Sequence, residues 1–223
     1  MKIGITERGD AALDQSWVSK VGDFDGVILI TKAPQSLPEI PDNAIVHCTI
    51  TGFGGTALEP GVAPTDVTIP AYQKIVEEIG SQRTVLRIDP IIPTEKGLKR
   101  ARDVFYKTQS RVRISFIDVY RHIQIRFDEA GMPPVPSSSF HFPLWVRQKA
   151  AETFPHAEIC GEPGFKCVGC VSKKDLDALG LKNDGLSKKI STQRDACACL
   201  AVKTEMLNRR RQCAHGCLYC YWR

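Results

Sequence analysis

The chain lacks several features that would place it in a simple class. No apolar run approaches the ~20 residues that a membrane-spanning helix needs, and no charged segment followed by an apolar stretch opens the chain. Internal repeats and low-complexity segments are absent too, which excludes repeat architectures and compositionally disordered tails. A hydrophobic content of 43% and a charged content of 25% are ordinary for a globular domain. We therefore expect a soluble, cytoplasmic protein with no membrane partner.

Cysteine is almost missing from the first 159 residues, where only Cys48 occurs, but eight more fall between Cys160 and Cys220. Without a secretion signal, clustered cysteines indicate metal binding and not disulfides, and the odd total of nine also opposes full pairing. Cys48 lies within a predicted strand, so we expect it to be a small buried apolar residue. The five histidines show no ligand spacing among themselves.

Short β-branched runs alternate with amphipathic stretches over residues 1–159. We predict strands at 27–31, 45–51, 84–88, 112–119 and 157–160, and helices at 69–79, 96–107 and 144–154. This alternation predicts an α/β fold with a mostly parallel sheet, as in a partial (β/α) barrel. Residues 160–223 form a separate cysteine-rich segment with no evident strand and one helix near 173–179. Metal cross-links would compensate for its small apolar content.

Chemistry in such folds gathers at the carboxyl ends of the strands. This rule picks out Lys32 after the first predicted strand, Thr51 and Gly52 after the second, Asp89 after the third, Asp118 within or after the fourth and Glu162 after the last. Glu59 in the loop after the second strand, Arg87 and Ser115 are further polar candidates. The period of two along a strand puts Arg87 and Asp89 on one side of the sheet, where they face a ligand or simply pair with each other.

The most informative motif stands at the end of the chain, where Cys213, Cys217 and Cys220 are separated by three and two residues. Three thiolates on one tight loop suit a cubane [4Fe–4S] cluster and leave one iron without a protein ligand. A structural zinc site is the alternative, with His215 or Cys199 as the fourth ligand.

A second cysteine group comprises a CxxC pair, a CxC pair and one single residue: Cys160, Cys167, Cys170, Cys197 and Cys199. Two pairs separated by a loop can make a four-thiolate site for zinc or for an auxiliary Fe–S cluster. Five candidates for four positions leave one spare.

A series of segments, in order from about residue 26 to the end, resembles an uncharacterised domain-of-unknown-function family. The matching pieces include the runs TKAP at 31–34, TITGFG at 49–54, RIDP at 87–90, SFIDVY at 115–120, CGE at 160–162 and CAC at 197–199, besides the terminal loop. That loop is similar to the cluster loop of radical S-adenosylmethionine (SAM) enzymes, including the aromatic at Tyr219. More distantly, the chain is similar to spore photoproduct lyase, which repairs DNA.

The resemblance implies a circularly permuted radical SAM barrel in which the first strand and its loop come last. It implies that Cys213, Cys217 and Cys220 hold three irons, and that SAM chelates the fourth iron and is cleaved reductively to a radical that abstracts hydrogen from a substrate. It also implies Cys160, Cys170, Cys197 and Cys199 as the second metal site, with Cys167 spare. Two segments depart from the family pattern, at 6–10 and 204–206.

In this interpretation Arg87, Asp89 and Glu59 are the candidate catalytic residues. The candidate cofactor-binding residues are Tyr219, Thr51, Gly52 and Ser115. An external electron donor is required, and nucleic acid is a candidate substrate.

The competing hypothesis is a non-catalytic protein that structural zinc stabilises and that binds nucleic acid. It uses the same cysteines together with basic residues at 173–174, 188–189 and 209–211. A solvated face is the more ordinary explanation of the basic run at 209–211.

Overall fold

The computed structural model describes residues 1–132, 140–188, 196–208 and 213–222. Seven strands in this part of the chain form one parallel sheet with the order β6-β5-β4-β3-β2-β1-β7. Their bounds are β1 Ile3–Ile5, β2 Gly26–Thr31, β3 Ala44–Thr49, β4 Thr84–Ile91, β5 Arg111–Phe116, β6 Glu158–Ile159 and β7 Lys203–Glu205. The sheet curls into a half-barrel, which confirms the predicted α/β partial barrel at this level of detail.

Five α-helices accompany the sheet in the described residues: α1 Thr65–Ile79, α2 Glu95–Phe105, α3 Arg121–Glu129, α4 Leu144–Ala151 and α5 Lys173–Ala178. Helix α1 ends at Gly80, whose φ of 86° is available to glycine without strain. Helix α2 begins after Thr94, whose hydroxyl accepts a hydrogen bond from the Gly97 amide as predicted. None of the helices described is both long enough and apolar enough to span a bilayer.

The two faces of the sheet are covered by different parts of the chain. Helices α1, α2 and α4 pack on the outer face, for example through Tyr72, Val104 and Ala150. The inner face is covered by the segment around α5, where Leu176 and Leu200 pack with Ile28 and other strand residues. The cysteine-rich segment therefore fills the inside of the half-barrel, close to the second cysteine group.

The expectation that no strand follows Cys160 was wrong. Strand β7 pairs in parallel with β1, with Ile3 opposite Lys203 and Ile5 opposite Glu205. Its three residues carry no apolar pattern, because the edge position leaves Thr204 and Glu205 half-buried. The tail thus contributes an edge strand directly before the terminal cysteine loop.

Candidate metal and cofactor site

One cavity of about 400 Å³ opens at the carboxyl ends of the strands and is lined by residues from both cysteine groups. The cysteines on its wall are Cys213, Cys217 and Cys220 from the terminal loop, and Cys160, Cys170 and Cys197 from the second group. Arg87, Asp89 and Ser115 line the same cavity. The fold therefore joins residues that are more than a hundred positions apart in the sequence.

The terminal loop is fixed to the barrel first through a buried acid and imidazole pair. The Nε2 atom of His215 lies 2.7 Å from Oδ2 of Asp10. That carboxylate also accepts hydrogen bonds from the Thr31 hydroxyl at 2.7 Å and from the Lys32 amide at 2.6 Å. Burial alone would raise the pKa of Asp10, but His215 and these donors bring the pKa below its usual range. Asp10 is thus a buried, ionised anchor for the loop.

A second buried polar group holds the other end of the loop. The Lys32 ammonium donates to Oε1 of Glu59 at 2.8 Å and to the Tyr219 hydroxyl at 2.9 Å. The Tyr219 hydroxyl donates to Glu59 as well, and the Thr51 hydroxyl donates to the other Glu59 oxygen at 2.8 Å. Although burial lowers the pKa of Lys32, the Glu59 carboxylate and Cys217 raise it overall. Glu59 and Thr51 therefore hold the loop through the Tyr219 hydroxyl and Lys32, and they do not line the cavity.

Close backbone contacts complete the attachment of the loop. The Gly61 amide donates to the His215 carbonyl at 2.9 Å, and the Leu218 amide donates to the Leu58 carbonyl at 3.0 Å. A Cβ atom at Gly61 would lie 2.3 Å from the Ala214 carbonyl oxygen, so only glycine allows this approach. Arg126 donates to the Cys220 carbonyl at 2.6 Å.

The three terminal thiols line one cavity together with Cys160, Cys170 and Cys197. The two residues that the sequence suggested as a fourth zinc ligand make other contacts. His215 uses Nε2 on Asp10 and has Nδ1 3.2 Å from the Gly61 carbonyl, while Cys199 accepts a hydrogen bond from the Cys170 amide. Burial raises the pKa of the Cys217 thiol to about 12, although Lys32 opposes this. A bound metal would hold the sulfur as thiolate despite its burial.

Four of the five cysteines of the second group are neighbours in the barrel interior. The sulfur atoms of Cys160 and Cys170 are 3.7 Å apart, and the Cys170 amide lies 3.2 Å from the Cys199 sulfur. The Cys199 thiol lowers the pKa of the adjacent Cys197 thiol by a hydrogen bond. Cys167 instead bonds to the Glu162 amide and carbonyl, at 3.2 Å each.

These four thiols have the donor chemistry for zinc or for an Fe–S cluster. In the described ranges, however, no three His, Cys, Asp or Glu side chains are already disposed around one metal position.

The remaining predicted site residues fall into two places. Arg87 and Asp89 pair with each other, and the Ser115 hydroxyl donates to Asp89. Tyr219 lines the cavity, whereas Gly52 does not. Gly52 has a φ of 83° and packs against Arg100, which donates to its carbonyl at 2.6 Å. Gly52 is therefore part of the contact between this loop and α2.

The sequence placed Lys32 at the end of a predicted strand but did not predict its contacts. It gave no signal for Asp10 or for the aromatic group at the cavity mouth, which comprises Tyr120, Phe140, Tyr221 and Trp222. Tyr120 stacks on Phe140 with ring centroids 5.0 Å apart, and Tyr221 meets Tyr120 edge-on at 5.1 Å. Arg8 lies 5.7 Å from the Trp222 ring. Only Lys32 had a local signal, since it directly follows a predicted strand. The basic residues at 189 and 209–211 lie outside the described residues.

The fold and the site define a class: a parallel half-barrel whose strand ends meet a cavity lined by two cysteine groups. Comparison with family models gives the particular family. A model described as "Domain of unknown function (DUF1848)" matches residues 16–222, so the chain belongs to this family. No curated protein matches the chain, and no solved structure matches it.

Proposed function

We propose that the protein is an iron–sulfur enzyme of the radical SAM type. Cys213, Cys217 and Cys220 would hold three irons of a [4Fe–4S] cluster, and SAM would occupy the fourth. When bound, the cluster would supply the electron for reductive cleavage of SAM. An external protein or reductant must deliver that electron, because each reductive cleavage consumes one.

The observation that carries this proposal is the engagement of both candidate fourth ligands. His215 is held between Asp10 and Gly61, and Cys199 lies in the second cysteine group. A closed tetrahedral zinc site would need one of them to leave these contacts. Three thiols that face the cavity, while both candidate fourth ligands keep these contacts, support a metal centre that binds a small molecule.

The side chains around the cavity have separate tasks in this proposal. Asp10, Lys32 and Glu59 orient the loop, and the rings of Tyr219 and Phe53 exclude water behind it. Arg87, Asp89 and Ser115 face the cavity as the polar groups that can hold SAM or substrate. The second cysteine group would bind zinc or an auxiliary Fe–S cluster beside them.

Product analysis of the anaerobically reconstituted protein tests this function. With SAM and a strong reductant, the protein should release 5′-deoxyadenosine and should contain about four irons per cluster. A protein that contains only zinc and forms no 5′-deoxyadenosine would rule out the proposal. Omission of the reductant is the control, since cleavage requires an added electron.

The aromatic group at the cavity mouth favours a second candidate function, the binding of single-stranded nucleic acid. Tyr221 is 53% exposed and stands next to Trp222, which has Arg8 over its ring. Exposed rings with cations can stack on unpaired bases. Such binding, as substrate recognition or as the sole function, should weaken steeply with salt and on Tyr221→Ala. Unchanged affinity of Tyr221→Ala for a fluorescent oligonucleotide would contradict this candidate.

A further inference from the structure

Cys160 and Cys170 lie side by side at the wall of the cavity. Their sulfur atoms are 3.7 Å apart, although ten positions separate the two residues in the sequence. The Cys160 amide donates to the Ile114 carbonyl at 2.9 Å, and the Val168 amide donates to the Ile159 carbonyl at 2.7 Å. Backbone contacts to β5 and β6 therefore hold the loop that brings the two thiols together.

The thiols of the second cysteine group contact one another in a row. The Cys170 thiol hydrogen-bonds with the thiols of Cys160 and Cys199. The Cys199 thiol hydrogen-bonds in turn with the Cys197 thiol. A row differs from thiols that converge on one point, and in the described ranges no three possible ligands surround a metal position. Neighbouring thiols in contact are instead the starting arrangement for a disulfide.

Access from the cavity favours one pair in this row. Cys160 and Cys170 both line the cavity, and Cys160 is half-buried. Cys199 is 1% exposed and does not line the cavity. The sulfur of Cys167 is bonded to the Glu162 backbone. A small co-reactant in the cavity therefore meets Cys160 with Cys170 directly beside it.

Only a small shift separates the two thiols from a disulfide. Bonded sulfur atoms are about 2.05 Å apart, so the sulfurs of Cys160 and Cys170 would approach each other by about 1.7 Å from their present 3.7 Å. Rotation of the side chains between staggered positions moves a sulfur atom by at least this much. The backbone hydrogen bonds of the loop can therefore remain in place.

We propose that Cys160 and Cys170 are an oxidisable dithiol, which forms a disulfide by exchange with a low-molecular-weight disulfide of the glutathione class. The Cys160 sulfur, as the more exposed, displaces one glutathione thiol and forms a mixed disulfide. The Cys170 sulfur then displaces the second glutathione thiol. The protein loses two hydrogen atoms and two electrons, and the co-reactant leaves as two thiols. This inference requires only the two thiols and does not rest on the proposed function.

Oxidation would set the chemical state of the cavity wall. Metal ligation requires thiolates, and a sulfur atom within a disulfide has none to offer. The disulfide and the second metal of the proposed function therefore exclude each other. The terminal loop keeps its own three cysteines in either state.

Peptide mapping of the full chain tests this inference. The Cys167→Ser protein is used, because Cys167 otherwise shares a tryptic peptide with Cys170. The reduced protein is treated with EDTA and shown by metal analysis to be metal-free, incubated with oxidised glutathione, and blocked with N-ethylmaleimide. Trypsin then cuts after Lys166, which leaves the two cysteines on separate peptides, 150–166 and 167–173. We expect these peptides to be linked, with a mass two hydrogen atoms below their reduced sum.

Thermal unfolding gives a second readout. A disulfide that closes a loop of about ten residues restricts the unfolded chain, so the oxidised protein should have a Tm about 5 °C above that of the protein reduced with dithiothreitol. Cys160→Ser, added to this protein, should abolish the linked peptides and the Tm difference, while circular dichroism shows that it is folded. Cys48→Ala is the matched control. It removes a buried thiol from the other face of the sheet and should leave both readouts unchanged.

Three results would overturn the inference. The two peptides could stay unlinked in an excess of oxidised glutathione, each could carry a separate glutathione, or Cys170 could be linked to Cys199 instead. If Cys160→Ser fails to fold, the peptide map of the Cys167→Ser protein still decides the outcome. The terminal loop is judged separately, by 5′-deoxyadenosine release from the intact protein.

Discussion

The two cysteine groups share one cavity but are stabilised in opposite ways. The terminal loop is anchored by hydrogen bonds that the Asp10 and Glu59 carboxylates accept and by backbone hydrogen bonds, so its position does not depend on its sulfur atoms. In the second group, the sulfur atoms of Cys160 and Cys170 lie 3.7 Å apart, and the Lys203 ammonium lies 3.8 Å from the Cys199 sulfur. The terminal loop is thus positioned by contacts outside its thiols, whereas the second group is held together by contacts between its own cysteines.

Removal of the terminal thiols should have the largest effect of the changes proposed. A small effect would contradict the comparison between the two cysteine groups. Cys213, Cys217 and Cys220 replaced together by alanine should abolish 5′-deoxyadenosine formation and remove about four irons per chain. The metal of the second group should remain, because none of its ligands is changed. Metal analysis and product chromatography measure both. Loss of all metal from both sites would show that the groups are not independent.

The second group should contribute more to stability than the terminal loop does. Cys170→Ser puts a hydroxyl into a site that is 4% exposed and breaks the contact between the Cys170 and Cys160 sulfur atoms. We expect a loss of about 2 kcal/mol, or a Tm lower by about 5 °C, together with loss of the second metal.

Cys167→Ser is the matched control, because Cys167 stands in the same CxxC pair but its sulfur bonds to the backbone of Glu162 and Gly161. It should retain the metal and change Tm little in a thermal unfolding experiment. Equal metal loss in both variants would show that Cys167 is a ligand and that the assignment of four ligands is wrong.

The attachment of the loop can be weakened without changing any cysteine. Gly61→Ala forces a methyl group against the Ala214 carbonyl and should displace the loop. We expect 5′-deoxyadenosine formation to fall about tenfold or more, since small misplacements near a reacting centre are costly. Gly22→Ala, where a Cβ meets nothing within 4 Å, is the control. Equal activities of these two variants would mean that the loop contact is not needed.

The smallest expected effect is a pH dependence of stability near the end of β7. Burial raises the pKa of Glu205 to about 7, from 4.5 in the unfolded chain, and Glu7 adds to the rise. Protonation then favours the folded state, so this contribution is complete below pH 4.5 and is lost as pH rises through 7. The free energy of unfolding, measured with denaturant between pH 5 and pH 8, should decline less for Glu205→Gln than for the unchanged chain. Parallel pH profiles would contradict the assignment.

Much of the barrel was predictable because its elements carry local signals. The run at 27–31 is apolar and bounded by glycine, and the helix that ends at Gly80 has apolar residues at helical spacing. Strand β1 was missed because three residues are too few for a pattern. Helix α3 was missed because only Ile123 and Phe127 are buried in it.

The site was only partly predictable from the sequence. Spacing alone identified the cysteines, and the period of two put Arg87 beside Asp89 as observed. The contacts that position the terminal loop join residues about two hundred positions apart, such as Asp10 and His215. No local pattern encodes such a pair, because it follows from parallel strands that bring their carboxyl ends to one edge.

Electron paramagnetic resonance of the anaerobically reconstituted, reduced protein, with and without SAM, tests the central claim most directly. We predict a [4Fe–4S] signal from the terminal loop that changes when SAM is added and that disappears when Cys213, Cys217 and Cys220 are replaced by alanine. A signal that SAM leaves unchanged, or a protein that holds only zinc in this loop, would contradict the claim that the loop leaves one coordination position open.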